Sequence, residues 1–330
     1  MILPPNMPLH PSILDLIGRT PLVRLSRVAA DVPALLYGKV EMLNPGGSVK
    51  DRIGLAMVEA AEREGRLAPG ATIVEATAGN TGVALAIVAA VKGYRCVFVM
   101  PEKMSRDKEE LLRAYGAEVV RTANAAPGEP AHFQEVARRL ATENGWFLPD
   151  QFTNAANPDI HYRTTGPEIW ADTDGRVDAL VCGVGTGGTL TGTGRFLKER
   201  KSSLRVVLAD PVGSILSGGT AAPYLQEGIG GSISPGNYDA SLVDESFAIS
   251  DSEAFEAARR LTRQEGMLSG GAAGCALAAA VRFGKRPENA GKLVVVVLPD
   301  TGRNYMSKIY DDGWMKTFVK PENKAAGDLR

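Results

Sequence analysis

Short runs of β-branched and apolar residues alternate along the chain with longer, Ala-rich stretches whose apolar positions recur at helical spacing. Residues 72–76, 96–100, 118–121, 179–182, 205–209 and 293–298 read as strands from their Val, Ile and Phe content, and their near-continuous apolarity implies burial on both faces. The stretches 48–64, 80–92, 105–115, 130–144, 190–200, 251–265 and 274–282 read as helices. That alternation predicts an α/β fold of parallel βαβ units with helices on both sides of a sheet. Pro and Gly mark residues 123–130 as a loop, and the polar, aperiodic tail after Lys316 is expected to fray.

With 330 residues there is chain for two domains or one large two-lobed one. Lys and Arg total 37 against 38 Asp and Glu, a net charge of −1, which provides no field to hold nucleic acid or an anionic membrane. No apolar run reaches the ~20 residues of a membrane span, and the N-terminus lacks a secretory pattern. Cys96, Cys182 and Cys275 lie far apart in apolar or small-residue surroundings, as buried reduced thiols do, and imply a cytoplasmic protein. They do not cluster with His10, His132 or His161, so no metal site is expected.

Four segments carry candidate chemistry. In Asn44-Pro45-Gly46-Gly47-Ser48-Val49-Lys50-Asp51-Arg52 a Gly-rich turn feeds a helix and puts Lys50 in its first turn, where the dipole and the free N–H groups disfavour a cation. Lys50 is therefore either a solvated lysine beside Asp51 or an amine tuned to form a Schiff base with an aldehyde cofactor. Thr77-Ala78-Gly79-Asn80-Thr81-Gly82 follows a strand and opens the next helix, a setting for a substrate carboxylate, or a plain turn capped by Asn80 or Thr81.

Gly183-Val184-Gly185-Thr186-Gly187-Gly188-Thr189 exposes bare amides and two hydroxyls between a strand and a helix, an arrangement that can wrap a phosphate. No Gly-Lys-Ser/Thr closes it as a P-loop, and its spacing does not match a dinucleotide site, so a single phosphate is expected. Finally, Leu298-Pro299-Asp300-Thr301-Gly302-Arg303-Asn304-Tyr305 ends the last strong strand, at the edge where α/β sheets bind ligands. Thr301 offers a hydroxyl to a ring nitrogen, or Asp300 caps a turn there.

Taken in this order, Asn-Pro-Gly-Gly-Ser-Val-Lys-Asp-Arg, Thr-Ala-Gly-Asn-Thr-Gly and Gly-Thr-Gly-Gly-Thr resemble the pyridoxal-phosphate enzymes of the cystathionine β-synthase and cysteine synthase family, from Ile17-Gly18-Arg19-Thr20-Pro21 to Tyr305. The segments 98–105, 224–230 and 300–306 are more similar to cystathionine β-synthase cores. The resemblance implies two three-layer αβα lobes with mostly parallel twisted sheets, the fold type II architecture of tryptophan synthase β. The smaller, mobile lobe is expected at 46–155, the larger at 1–45 plus 156–330, with the active site between them. It further implies a bare catalytic core and a homodimer.

By the same resemblance Lys50 binds pyridoxal 5'-phosphate and moves the α-proton, Asn80 bonds the ring hydroxyl, and Gly185, Thr186, Gly187, Gly188 and Thr189 hold the phosphate. Thr301 meets the pyridine nitrogen, while Thr77, Ala78, Gly79, Thr81 and Gln151 grip the substrate carboxylate. The implied reaction is β-replacement on serine or an O-activated serine through an aminoacrylate, with a thiol such as homocysteine or sulfide adding at Cβ. A serine/threonine dehydratase, a racemase and a non-thiol β-synthase are the alternatives, as is a non-catalytic binding partner, against which Lys50 argues. Three departures bear on the second substrate: Ala78 where many relatives have Ser, Ala272 and Ala273 where paired serines are common, and Gly231 in place of a larger residue.

Overall fold

The computed structural model describes residues 9–77, 79–102, 106–126 and 128–318. Its strands are β1 (Leu22–Arg24), β2 (Leu35–Val40), β3 (Thr72–Ala76), β4 (Arg95–Pro101), β5 (Glu118–Thr122), β6 (Ala179–Gly183), β7 (Arg205–Pro211), β8 (Glu245–Ile249) and β9 (Leu293–Leu298). The helices are α1 (Lys50–Arg63), α2 (Asn80–Lys92), α3 (Arg106–Ala114), α4 (Phe133–Asn144), α5 (Ala156–Ile160), α6 (Gly166–Asp172), α7 (Gly188–Arg200), α8 (Asp251–Glu265), α9 (Gly271–Gly284) and α10 (Asp312–Phe318). Every strand and helix expected from the apolar pattern is present. The pattern passed over β1, β2, β8 and the helical run from α5 to α6. Helix α10 also carries order past Lys316, where fraying was expected; the rest of the tail lies outside the described residues.

The chain divides into two compact units, Met1–Thr20 with Leu43–Ile160, and Pro21–Met42 with His161–Arg330. The expected division assigned residues 1–45 wholly to the larger lobe. Instead the segment up to Thr20 belongs with the smaller unit, because polar bonds tie it to the turn before α1. Gly18 N–H donates to Asn44 Oδ1 at 2.8 Å, and the buried Arg52 guanidinium donates to Thr20 Oγ1 at 3.2 Å. This is the local work of the Ile17-Gly18-Arg19-Thr20 motif.

In the first unit β3, β4 and β5 form a parallel sheet in that order, and Phe147 extends it by bridging Ile73. Alternation along the strands sorts the core into two layers. Ile73, Cys96, Phe98 and Met100 pack with Ile53 and Met57 of α1 and Leu85 of α2, while Val74, Ala76, Val97 and Val99 pack with Val136 and Ala137 of α4. In the second unit the strand order is β1-β2-β9-β6-β7-β8, parallel except for the antiparallel edge pair β1–β2. Val181, Val207 and Val296 face α8 and α9; Leu180, Val206 and Val295 face the α6–α7 side. Each unit is thus a three-layer αβα sandwich.

The missed strands have physical reasons. Lys39 interrupts the apolar run of β2, yet is fully buried and paired with Glu168 at 2.7 Å. Strand β8 lies at the sheet edge and alternates exposed with covered positions, and β1 is only three residues long. The three cysteines are buried and are not joined in disulfides, as expected. Among the described residues no helix is long and apolar enough to cross a membrane, and no acidic, His or Cys cluster is arranged to hold a metal.

Helices α8 and α9 pack so closely at Gly274 that a Cβ there would lie 1.9 Å from the Ala254 carbonyl oxygen. Because that neighbour is backbone, relief requires the helices to part. Gly274→Ala is expected to cost about 2 kcal/mol of stability, read as a lowered midpoint in chemical denaturation with an unchanged slope. An unchanged midpoint would sink this account of the α8–α9 contact.

Candidate active site

Lys50 is the first residue of α1, whose N-terminus has no side-chain cap; its N–H donates to Ser48 Oγ at 3.2 Å. The turn before it is glycine by necessity. Gly47 has φ +79°, and a Cβ on Gly46 would lie 2.6 Å from Asp51 Oδ1 and 2.9 Å from Ile87 Cδ1. Buried Asp51 accepts the Gly46 N–H, so the loop and the first turn of α1 hold one another. At Gly54 a Cβ would come within 2.7 Å of the Ala84 Cβ, so α1 and α2 are in backbone-close contact there. Lys50 and Asn80 each sit one turn upstream of that contact.

The second segment leaves β3 and opens α2 at Gly79, again with no side-chain cap. Gly79, not Asn80 or Thr81, is the capping position. Gly79 N–H donates to Thr77 Oγ1 at 3.3 Å, and buried Thr81 donates its hydroxyl to buried Gln151 Oε1 at 2.6 Å. Gln151 is held in turn, its carbonyl accepting from Asn157 Nδ2 at 2.8 Å. The Phe147 bridge delivers it: Val74 N–H donates to Phe147 O at 2.8 Å, which carries the following residues to the same sheet edge as Thr77. Thr77, Gly79, Asn80, Thr81 and Gln151 are therefore brought together within one unit with Lys50; Ala78 lies outside the described residues.

Beneath this turn lies a group that sequence reasoning missed. Glu75 on β3 is 3% exposed, stands opposite Phe98 of β4, and has Oε2 buried without a hydrogen-bond partner. Burial pushes its carboxyl up to about 8, the negative charge of Asp150 adds to the rise, and main-chain N–H groups at Asp150, Ala76 and Gln151 oppose it. No motif marks it. A lone acid in a strand reads as an exposed edge residue until the sheet covers it.

The phosphate-loop candidates belong to the second unit. Gly187 caps α7 with φ +91° and no side-chain bond. A Cβ on Gly185 would lie 2.2 Å from the Gly228 carbonyl oxygen, and one on Gly187 2.6 Å from Tyr238 N. The Gly230 N–H donates to Val184 O at 2.7 Å, so the 224–230 segment is laid against this loop. Thr186 is buried and Thr189 is partly covered. His161 was also missed as a site residue. Fully buried in a π-helical turn, His161–Thr165, it places Nε2 3.2 Å from Thr189 Oγ1 and Nδ1 2.8 Å from Thr165 Oγ1. Its part in the loop is a matter of space, since the partners stand 28 positions apart in the chain.

Thr301, in the same unit, bridges Ser269 and caps the turn Gly302–Tyr305, accepting the Arg303 N–H at 3.4 Å. The alternative of a cap by Asp300 is not what forms; Asp300 instead accepts the Tyr305 hydroxyl at 2.7 Å. Ala272 and Ala273 lie buried in the first turn of α9. Gly231 is pinned at both backbone groups by Ser214, its N–H donating to Oγ at 3.1 Å and its carbonyl accepting from it at 3.3 Å.

An uncapped helix start, bare glycine amides and two threonine hydroxyls are the donors a phosphate monoester takes, and a lysine at a second uncapped helix start suits an aldehyde. The residues present fit pyridoxal phosphate. The comparisons agree: the family described as "Pyridoxal-phosphate dependent enzyme" matches residues 13–300, and the chain belongs to it. Cystathionine β-synthase of Rattus norvegicus is 48% identical over 325 residues, covering 94% of this chain and 58% of the rat protein, so the chain spans less than two thirds of that relative. The crystal structure of O-ureido-L-serine synthase superposes with a TM-score of 0.87 at 41% identity, covering 97% of this chain and 98% of that one. A hydrogen sulfide-producing enzyme from Fusobacterium nucleatum gives a TM-score of 0.84 at 40% identity, covering 91% and 99%. This is a pyridoxal-phosphate enzyme of the fold type II class.

Two predictions come from these sites. Replacing His161 by Phe removes one hydrogen bond from the Thr189 hydroxyl, worth about 1 kcal/mol, and is expected to weaken pyridoxal phosphate roughly fivefold in fluorescence titration of the apoprotein. An unchanged Kd would leave His161 with the fold alone. A carboxyl raised in the folded state favours folding below its unfolded value and loses that contribution as pH climbs through the folded one. Wild type should therefore lose stability relative to Glu75→Gln as pH rises from the ordinary carboxylate value of 4.5 through about 8, measured by denaturant midpoint. Parallel pH curves for the two proteins would contradict the burial assignment.

Proposed function

We propose that the chain catalyses β-replacement on serine or an O-activated serine: the β-substituent leaves and a nucleophile adds at the same carbon. The observation that carries this reading is Lys50 at the open start of α1, in one unit with the Gly79–Thr81 turn that Gln151 braces. When bound, pyridoxal phosphate supplies an electron sink that makes the α-proton labile and lets the β-substituent depart.

The chain's own residues do the rest. Lys50 would hold the cofactor's aldehyde carbon until the substrate's amine takes its place there; the amine so freed would take the proton from the substrate's α-carbon and later return it. The N–H groups at the start of α2, that of Thr81 among them, with the Thr77 hydroxyl, the Gln151 amide and the backbone of Ala78 and Gly79, receive the substrate carboxylate. Asn80 bonds the ring hydroxyl. Gly185, Thr186, Gly187, Gly188 and Thr189 hold the phosphate at the start of α7, and His161 keeps the Thr189 hydroxyl turned to its task. Thr301 meets the pyridine nitrogen with a neutral hydroxyl, which does not enforce a protonated ring.

A thiol, homocysteine or sulfide, is the nucleophile favoured by the likeness to cystathionine β-synthase and the sulfide-producing enzyme. A non-thiol nucleophile is the second reading. It is supported by the likeness to O-ureido-L-serine synthase and by Gly231, which stands where a larger residue is common and whose Cβ would meet the Ile233 carbonyl oxygen at 2.8 Å. The proposal extends to a homodimer and to a reducing, cytoplasmic setting, which the three buried thiols suit.

The test is product analysis with L-serine, O-acetyl-L-serine and O-phospho-L-serine, each with sulfide, homocysteine or hydroxyurea. Wild type is expected to yield a β-substituted alanine with one donor and one nucleophile. Lys50→Ala should lose turnover by at least about a thousandfold and lose the borohydride-fixed pyridoxyl group from its peptide. Pyruvate and ammonia regardless of nucleophile would favour the dehydratase, and a fixed pyridoxyl group that persists in Lys50→Ala would overturn the role of Lys50.

A further inference from the structure

Glu75 has no part in the chemistry above, yet the fold places it two residues before Thr77, under the turn that receives the substrate carboxylate. Strand alternation puts its side chain on the same face of the sheet as Ile73, in the layer formed by Ile53, Met57, Leu85 and Phe98. The strongest influences on its carboxyl are burial, the charge of Asp150 and main-chain N–H groups, and none of these is a cation. Asp51 and Arg52 of α1 are engaged with Gly46 and Thr20, the charged end of α2 is Lys92 bonded to Glu62, and Arg113 and Arg121 are bonded to Glu109. Asp159 of α5 adds an acid, not a base. The ionisable neighbour whose charge acts on Glu75 is Asp150, another acid, held at φ +49° with its carboxylate accepting the Thr153 hydroxyl at 2.7 Å.

Asp150 is also the residue before Gln151, which accepts the Thr81 hydroxyl. Glu75, Asp150, Gln151 and Thr81 thus form a continuous path from a buried acid to a donor of the carboxylate turn. A buried carboxyl with an unpartnered oxygen and an anion beside it is tolerable neutral and costly ionised. A second negative charge arriving on the substrate raises that cost.

We propose that Glu75 is a positioning residue for the substrate carboxylate: held neutral under the Thr77–Thr81 turn, it leaves that turn free to accept an anion, and its ionisation weakens the grip. The inference rests on the carboxylate-binding role given to this turn under the proposed function. Because linkage is reciprocal, substrate binding must hold the Glu75 proton as tightly as that proton favours substrate. The effect belongs to KM; Glu75 touches no reacting atom, so kcat should not share it.

The experiment compares KM for the active donor in wild type, Glu75→Gln and Asp150→Asn between about pH 7 and about pH 9.5. Titration of the substrate amine is common to all three and cancels in the ratios. The ratio of wild-type KM to that of Glu75→Gln is expected to rise roughly tenfold across this range, one pKa unit of coupling. In Asp150→Asn the rise should begin at lower pH, because removing the neighbouring negative charge eases ionisation of Glu75. In cofactor-free protein, infrared spectroscopy should find a protonated carboxyl stretch that disappears through about pH 8 and is absent from Glu75→Gln. A flat KM ratio, a rise carried by kcat, or no such stretch overturns the proposal while leaving the β-replacement reading intact. Absence of product with every donor overturns both.

Discussion

Helices α2, α7 and α9 begin on a glycine that offers no side-chain cap, and the first two of these starts lie in the segments proposed to receive the substrate carboxylate and the cofactor phosphate. An uncapped helix start is a weakness in a structural helix and an asset at an anion site, since the dipole and free donors act together. The contrast with α8 is instructive: there Ser250 caps the helix by accepting the Glu253 N–H, and no site candidate lies at its start.

Glycine gives these sites their shape for a second reason, close approach of backbone. Gly185 lies against the Gly228 carbonyl, Gly187 against Tyr238, Gly54 against Ala84 and Gly46 against Asp51. Each contact leaves no room for a methyl group. These glycines are therefore places where the chain is pressed together, within one turn at Gly46 and between segments distant in sequence at Gly54, Gly185 and Gly187.

The polar groups around the carboxylate turn follow one economy. Thr81 and Asn157 both donate to Gln151, one to its side-chain Oε1 and the other to its main-chain carbonyl, so Gln151 is held at both ends. His161 is likewise held at both ring nitrogens, by Thr165 and Thr189. Glu75 adds a buried acid with one oxygen unsatisfied, two residues before the turn proposed to receive the substrate carboxylate.

The linear order of residues by itself determined the βαβ rhythm, the strand-to-helix turns and the lysine, amide and hydroxyl groups set in them, because these depend on local periodicity and on short spacings. It determined the family for the same reason: its motifs are contiguous. Tertiary structure alone decided which unit holds the N-terminal segment, since bonds from Gly18 to Asn44 and from Arg52 to Thr20 are made across distance. It alone revealed β2, whose Lys39 reads as polar until Glu168 reaches it in the fold, and it alone turned Glu75 and His161 from unremarked residues into parts of the sites. Burial and pairing are properties of three-dimensional neighbours, and a charge in a strand has no meaning until the layer that covers it is in place.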